Sequence, residues 1–293
     1  MTRLFLALLL VVLAGCSGQA VTGSDARAAD PVVAKPQRIV SLSLGTDEIL
    51  CSLVDPRRIV GLSGLAANED ISHVAEIAKQ IGVAVGREPE QIVGLRPDLL
   101  LAARYTRLEL TNIVARAGAD IVITTGFSSF DDIRENITRI GHAVGEPERA
   151  RTLIAEMDRQ LNEKLVVPIA SRSGWRLLYY TPDGWTAGSA TTIDDVFRRA
   201  GFDNAAADAG IQGHQRISPE TLLQVDPDVI VIERGYARDE GFKERLLADP
   251  QLAPLSAIRN SRIAELPPKL VVAVSHYLAG AVPALISSVN ALP

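Results

Sequence analysis

"PEQIVGLRPDLLLAARY" at residues 89–105 and "PETLLQVDPDVIVIERGY" at residues 219–236 are one phrase written twice. Pro89/Pro219, Glu90/Glu220, Pro97/Pro227, Asp98/Asp228 and Arg104/Arg234 all recur at an offset of 130 positions. Each copy has an elementary structural reading. Proline presets φ for the first turn of a helix, and the Glu after it sits where the helix dipole favours negative charge. The second Pro ends that short helix, the following Asp holds the turn through its side-chain oxygen, and the apolar run beyond it is a buried strand. An offset of 130 residues is far longer than a solenoid period, so the repeat lies at the level of domains.

Outward from the first copy, "RIVSLSL" and "RIVGLSG" read as strands, with "TDEILCSLVD" between them as a helix opened by Thr46 or Asp47. "ELTNIVARAG" reads as a helix and "ADIVITT" as a further strand. Around the second copy, "WRLLYYT" and "NSRIAELP" read as strands and "TTIDDVFRRAG" as a helix capped by Thr191 or Thr192. "VSHYLAGAVPALISSVN" reads as a terminal helix interrupted by Pro283. Strand, helix, strand in alternation predicts an α/β protein with parallel sheets covered by helices.

Between the halves, from Ser129 to Leu165, strand signals stop. "FDDIRENITRIGHAVG" reads as one helix, and Pro147 opens another whose Ala150, Leu153, Ile154, Met157, Leu161 and Leu165 form one apolar stripe. The expected layout is a first lobe at 36–128, linking helices at 129–168 and a second lobe at 169–293.

The balance of 47% hydrophobic and 22% charged residues in 293 is enough to bury a large core. At the N-terminus, Arg3 precedes an apolar run from Leu4 to Leu13, too short for a permanent membrane span and suited to an export signal. "LAGC" at 13–16 then resembles the lipobox of bacterial lipoproteins. That resemblance implies a signal peptide at 1–15, lipidation of Cys16 and a membrane anchor, with an ordinary secretory signal as the alternative. Residues 16–35 are small and polar, the composition of a flexible tether. Loss of residues 1–15 removes one Arg and leaves 29 basic against 35 acidic side chains, a net charge of −6 that argues against nucleic acid as a partner. Cys51, the remaining cysteine, lies in an apolar helical pattern and reads as a small buried hydrophobe.

Lipobox, tether, "RIVSLSLGTDEILCSL", the two "PD-hydrophobic" phrases in register, the long helix between them and "WTAGSATTIDDVFRRAGFDN" together resemble the periplasmic binding proteins of cobalamin and iron-siderophore ABC importers. The resemblance runs from about Pro36 to the C-terminus. It implies two Rossmann-like lobes joined by one long backbone helix, with the ligand cleft between the lobes and limited lobe closure. It also implies an ABC permease and its ATPase as partners, a monomer outside the cytoplasm, and docking on the permease through one surface carboxylate per lobe, mapped onto Glu90 and Glu220. The ligand implied is an iron-siderophore, cobalamin or haem-like metal chelate.

Loops beyond the strand ends line the expected cleft. There Tyr105, Trp185 and Tyr236 offer flat surfaces, and Arg104, Arg234 and Lys269 offer positive charge for a large, partly anionic ligand. Trp185 stands out because a Gly-flanked loop is a poor core position. Two other functions compete. A zinc or manganese receptor of the same architecture needs three or four converging ligands, whereas His73, His142, His214 and His276 form no paired motif, so no metal site and no cofactor are expected. An exported α/β hydrolase needs a nucleophile elbow; no G-x-S-x-G, phosphate loop or dinucleotide fingerprint is present, so a binding protein and not an enzyme is expected.

Overall fold

The computed structural model describes residues 35–162, 172, 174–235, 239 and 241–293. Cys16 and its tether lie outside the described residues, as do Leu165 and Tyr236.

In the first lobe, strands β1 (Ile39–Ser41), β2 (Ile59–Ser63), β3 (Ala84–Val85), β4 (Leu99–Ala102) and β5 (Asp120–Ile123) form a parallel sheet in the order β3-β2-β1-β4-β5. Helices α1 (Leu44–Leu53), α2 (Ala75–Ile81), α3 (Pro89–Gly94) and α4 (Leu108–Arg116) make the connections. Two helices follow without a strand, α5 (Phe130–Ala143) and α6 (Pro147–Asn162).

The second lobe repeats the plan with more insertions. Its main sheet is also parallel, ordered β11-β10-β6-β8, from β6 (Arg176–Tyr179), β8 (Asp203–Asn204), β10 (Val229–Glu233) and β11 (Ile263–Leu266). A separate antiparallel ribbon pairs β7 (Trp185–Ala187) with β9 (His214–Arg216). The helices are α7 (Thr192–Arg199), α8 (Ala205–Asp208), α9 (Pro219–Val225), α10 (Phe242–Ala248), α11 (Ser256–Arg259), α12 (Pro268–Val271) and α13 (Ala281–Asn290).

The repeated phrase is α3–β4 in one lobe and α9–β10 in the other. Both strands are flanked on each side by a parallel neighbour, which is why they read as continuous apolar runs. The repeated Asp reaches further than its own turn. Asp98 Oδ1 and Oδ2 accept from the backbone N–H groups of Arg38 (2.9 Å) and Gln37 (2.6 Å), and Asp228 Oδ2 accepts from that of Arg176 (2.9 Å). Each carboxylate thereby stitches its strand to the start of the adjacent one. In return, Arg38 donates to the Leu95 and Arg96 carbonyls, and Arg176 to those of Val225 and Asp226. The loose carbonyls at the end of each short helix are satisfied that way. Arg96 (φ 49°) and Asp226 (φ 40°) take the left-handed conformation just before each Pro.

One apolar core runs through both lobes, including Leu99 and Leu101 from β4, Ile133 and Ile137 from α5, Phe197 from α7 and Val229 from β10. The stripe on α6 is seated in it through Ala150, Met157 and Leu161, with Leu153 and Ile154 packed at its margin. Helices α5 and α6 close up at Gly141, where an added Cβ would lie 2.3 Å from that of Ala150. Cys51 is buried in the same core, and desolvation, reinforced by nearby Asp47 and Glu48, pushes its thiol up to about 12.

Local details depart from expectation at three places. Helix α1 is capped by Ser43, which accepts from the Thr46 N–H, so Thr46 and Asp47 lie inside the first turn and turn their side chains to buried partners. Pro283 does not interrupt a helix. The break is a 3-10 turn at His276–Gly280, and Pro283 stands in the first turn of α13, where its missing N–H is not needed. His142 is exposed in the last turn of α5, and His276 belongs to the 3-10 turn and not to the terminal helix.

Candidate functional site

The carboxyl ends of β6 and β10 open into a cavity of about 420 Å³. Tyr179, Thr181 and Glu233 come from those strand ends, Trp185 and His214 from the β7–β9 ribbon, and Thr192 and Ile193 from the start of α7. Val271, Val272 and Val274 supply an apolar wall. Val274 also meets the first lobe, because a Cβ added at Gly45 would lie 2.7 Å from its Cγ2 and 3.2 Å from Phe127. Gly45 follows β1 and Phe127 follows β5, so the cavity lies where the strand ends of one sheet meet the other lobe.

Trp185 is 44% exposed and its backbone N–H is fixed by Thr181 Oγ1 at 3.0 Å, which presents an indole face at the mouth. Glu233 is 7% exposed, and its Oε1 accepts the Tyr179 hydroxyl. Burial raises the Glu233 carboxyl above its ordinary value against the opposing effect of that hydrogen bond.

Beside the cavity, a polar seam joins α1 to the segment after β11. Glu48 is fully buried; its Oε2 accepts the Ser275 hydroxyl at 2.5 Å and its Oε1 accepts the His73 N–H at 3.0 Å. The His73 ring stacks on Tyr277 with centroids 4.1 Å apart, and its Nε2 lies 3.2 Å from the Lys269 carbonyl oxygen. Ser52 Oγ and His276 Nε2 are 3.2 Å apart. One helical step away, Asp47 is buried against Ser63, whose hydroxyl donates at 2.5 Å; desolvation raises Asp47 to about 7. Across the junction, the Phe130 N–H donates to Asp195 at 2.8 Å.

Of the residues expected in a shared cleft, Trp185 lines this cavity. Arg104 is exposed beyond β4, and Tyr105, 75% exposed, lines a separate hollow of about 120 Å³ with Arg87 and Arg107. Arg234 lines a third cavity beside α13 with Lys243 and Glu265. Lys269 lies on α12 at the seam, where its charge lowers the pKa of Glu48 against the larger desolvation effect. Glu90 and Glu220 are exposed in the first turns of α3 and α9, and the Ser218 hydroxyl lowers the Glu220 carboxyl. Among the described residues, no group of three or more His, Cys, Asp and Glu is arranged to hold a metal ion.

A family model described as "Periplasmic binding protein" matches residues 39–270, most of the chain and both lobes. The chain belongs to this family. Among relatives of this periplasmic binding protein, a "Cobalamin-binding protein" of Halobacterium salinarum is 30% identical over 234 residues, covering 78% of this chain and 60% of the relative. The chain therefore spans about 60% of that relative's length. The "Uncharacterized ABC transporter substrate-binding lipoprotein YvrC" of Bacillus subtilis is 25% identical over 295 residues, covering 91% and 89% of the two chains. The fold is also that of the periplasmic haem-binding protein RhuT from Roseiflexus in its apo form, with a TM-score of 0.72, 25% identity, and 87% and 98% of the chains covered.

The pocket of this periplasmic binding protein includes residues that sequence reading missed. Glu233 was legible as an irregularity: where the first phrase ends its strand "LLLAA", the second ends "VIVIE", so an acid replaces the buried Ala103. Tyr179 and His214 carry no comparable signal, because one reads as a strand residue and the other sits on a three-residue strand.

Proposed function

We propose that this protein is the extracytoplasmic solute-binding component of an ABC importer, and that it holds a metal chelate such as a ferric siderophore, cobalamin or haem between its lobes. The observation that carries the reading is the cavity at the carboxyl ends of β6 and β10, aromatic and apolar, placed where the lobes meet in a member of this family. Its size and its mixture of one indole face, hydroxyls and valines suit capture of a large flat ligand and offer no nucleophile paired with a base. In this reading the protein binds its ligand without chemistry, in keeping with a family of solute-binding proteins. Arg104 and Arg107, exposed on the first lobe beyond β4, offer positive charge, and Tyr105 a flat surface, to the part of the ligand that protrudes from the cavity.

In this reading Glu90 and Glu220 dock the loaded protein on the permease, one from each lobe, and the permease's ATPase powers transport. Their solvent exposure in matched helical turns supports that role. Cys16 carries the lipid that anchors the protein to the membrane, and the protein acts as a monomer.

Titration of the purified protein with cyanocobalamin, haemin and ferric hydroxamates tests the ligand class. A saturable change in tryptophan fluorescence is expected for at least one of them, and it should shrink in Trp185→Phe, which leaves Trp175 as the other reporter. No saturable binding of any chelate would overturn the reading. Glu90→Ala with Glu220→Ala should leave that binding unchanged and depress uptake in cells; full uptake by the double variant would remove the docking role.

A further inference from the structure

Glu233 is out of place in a cavity expected to welcome anionic groups. Among the described residues, no Arg or Lys lines that cavity. Strand register explains how it is held. Tyr179 pairs with Val231 across β6 and β10, and Glu233 is the next residue on the same face, which brings the phenol onto its Oε1. Oε2 accepts no hydrogen bond from the described residues, and Glu233 lines the cavity. Tyr179 is itself 6% exposed, so the pair is fixed in the wall and not free to swing into water.

A carboxylate oxygen that faces the cavity with no donor among the described residues is a recognition element for one on a ligand. An N–H on the ligand supplies it and forms a charge-assisted hydrogen bond as the ligand displaces water from the cavity. A ligand carboxylate in the same position meets a like charge with little solvent between them, and one of the two must take up a proton. The nearby Thr181, Thr192 and His214 complete a surface of hydroxyls and an imidazole, which amide groups satisfy in both directions.

From this geometry we propose that Glu233, positioned by Tyr179, is a specificity-determining acceptor that selects chelates carrying amide or ammonium N–H groups on their rim and rejects those presenting carboxylates there. This rests on the chelate-binding reading above and narrows it.

The test compares ligands that differ by a single group. Cyanocobalamin carries primary amides around its ring, and its monocarboxylic acids replace one amide by a carboxylate. The purified protein should bind cyanocobalamin about ten- to a hundredfold more tightly than the acid whose carboxylate falls at Glu233, the range expected for a charged hydrogen bond lost and a like charge gained. Glu233→Gln keeps the shape and removes the charge, and should bring the two affinities to within about threefold by improving the acid. Haemin, with two carboxylates, should gain from Glu233→Gln in the same direction. Tyr179→Phe should weaken the discrimination without reversing it. The wild-type comparison needs no variant, so a failure of Glu233→Gln to fold leaves the proposal testable. Equal affinity for amide and acid in the wild type, or tight binding of haemin with none of cyanocobalamin, overturns the proposal and leaves the chelate reading standing. Absence of binding by every one of these ligands overturns both.

Discussion

The two copies of the repeated phrase differ least where they build the sheets and most at the ends of their strands. Pro89 and Pro219, Asp98 and Asp228, and the buried strands between them do the same work in each lobe, down to the backbone N–H groups that the aspartates accept. At the strand ends the copies part: Ala103 is fully packed in the first lobe, whereas Glu233 faces a cavity in the second. Both lobes keep the residues that the backbone requires, so the mismatched position at the strand end is the informative one.

The comparison makes ranked expectations. Leu100→Ala and Ile230→Ala remove equivalent, fully buried side chains, and each should cost about 2–5 kcal/mol. Although they sit in separate satellite clusters, the shared core should make both variants melt in one calorimetric transition. Two resolved transitions would show that the lobes are independent.

Next in size is Asp47→Asn, in the first turn of α1, where the carboxyl is fully buried. Asp47 is raised to about 7 by burial, so the native state holds a proton there that the unfolded chain has released. The stabilising effect of that proton is fully present below about pH 4 and is lost as pH rises toward 7. Relative to the Asn variant, the wild type should lose up to about 4 kcal/mol across that window and then level off. His276, lowered to about 4, contributes a slope of the opposite sign in both proteins and cancels in the difference. Unfolding free energies measured from pH 4 to 8 check this; a constant difference between the two proteins would refute it.

A smaller effect sharpens the repeat itself. Asp98 accepts two backbone N–H groups and Asp228 one, so Asp98→Ala should cost about 1–3 kcal/mol and Asp228→Ala less, measured by denaturant unfolding. Smallest of all, Glu90→Gln and Glu220→Gln should each leave stability within about 0.5 kcal/mol, because both carboxylates are exposed. A larger loss in one copy alone would mean that its Glu has a structural partner.

Much of the fold was legible because the longer elements carry their own periodicity. The strands of both phrases, α5, α6 and the Thr191 cap all stand where apolar spacing and capping chemistry put them. The short pieces were not legible. β7 and β9 have three residues each, and "HQR" has no strand signature; it is a strand because Trp185, Thr186 and Ala187 lie opposite it. The seam was hidden for another reason. Glu48, His73, Ser275 and Tyr277 are ordinary in their own segments, and only the packing of the chain after β11 against α1 brings them together. Trp185, in glycine-rich surroundings that deny it a core, lines the cavity beyond β6 and β10, whereas Arg234 lines a cavity of its own.

The seam also braces the wall of the cavity. Parting the lobes there strips Glu48 of the Ser275 hydroxyl and breaks the stacked His73–Tyr277 pair, each loss being of the order of 1 kcal/mol or more in a site that water reaches poorly. Glycine at position 45 lets the two halves touch with no slack for a sideways slide. A pocket braced in this way has its aperture set by the contacts between the lobes, much as the jaws of a fixed spanner are set by its frame.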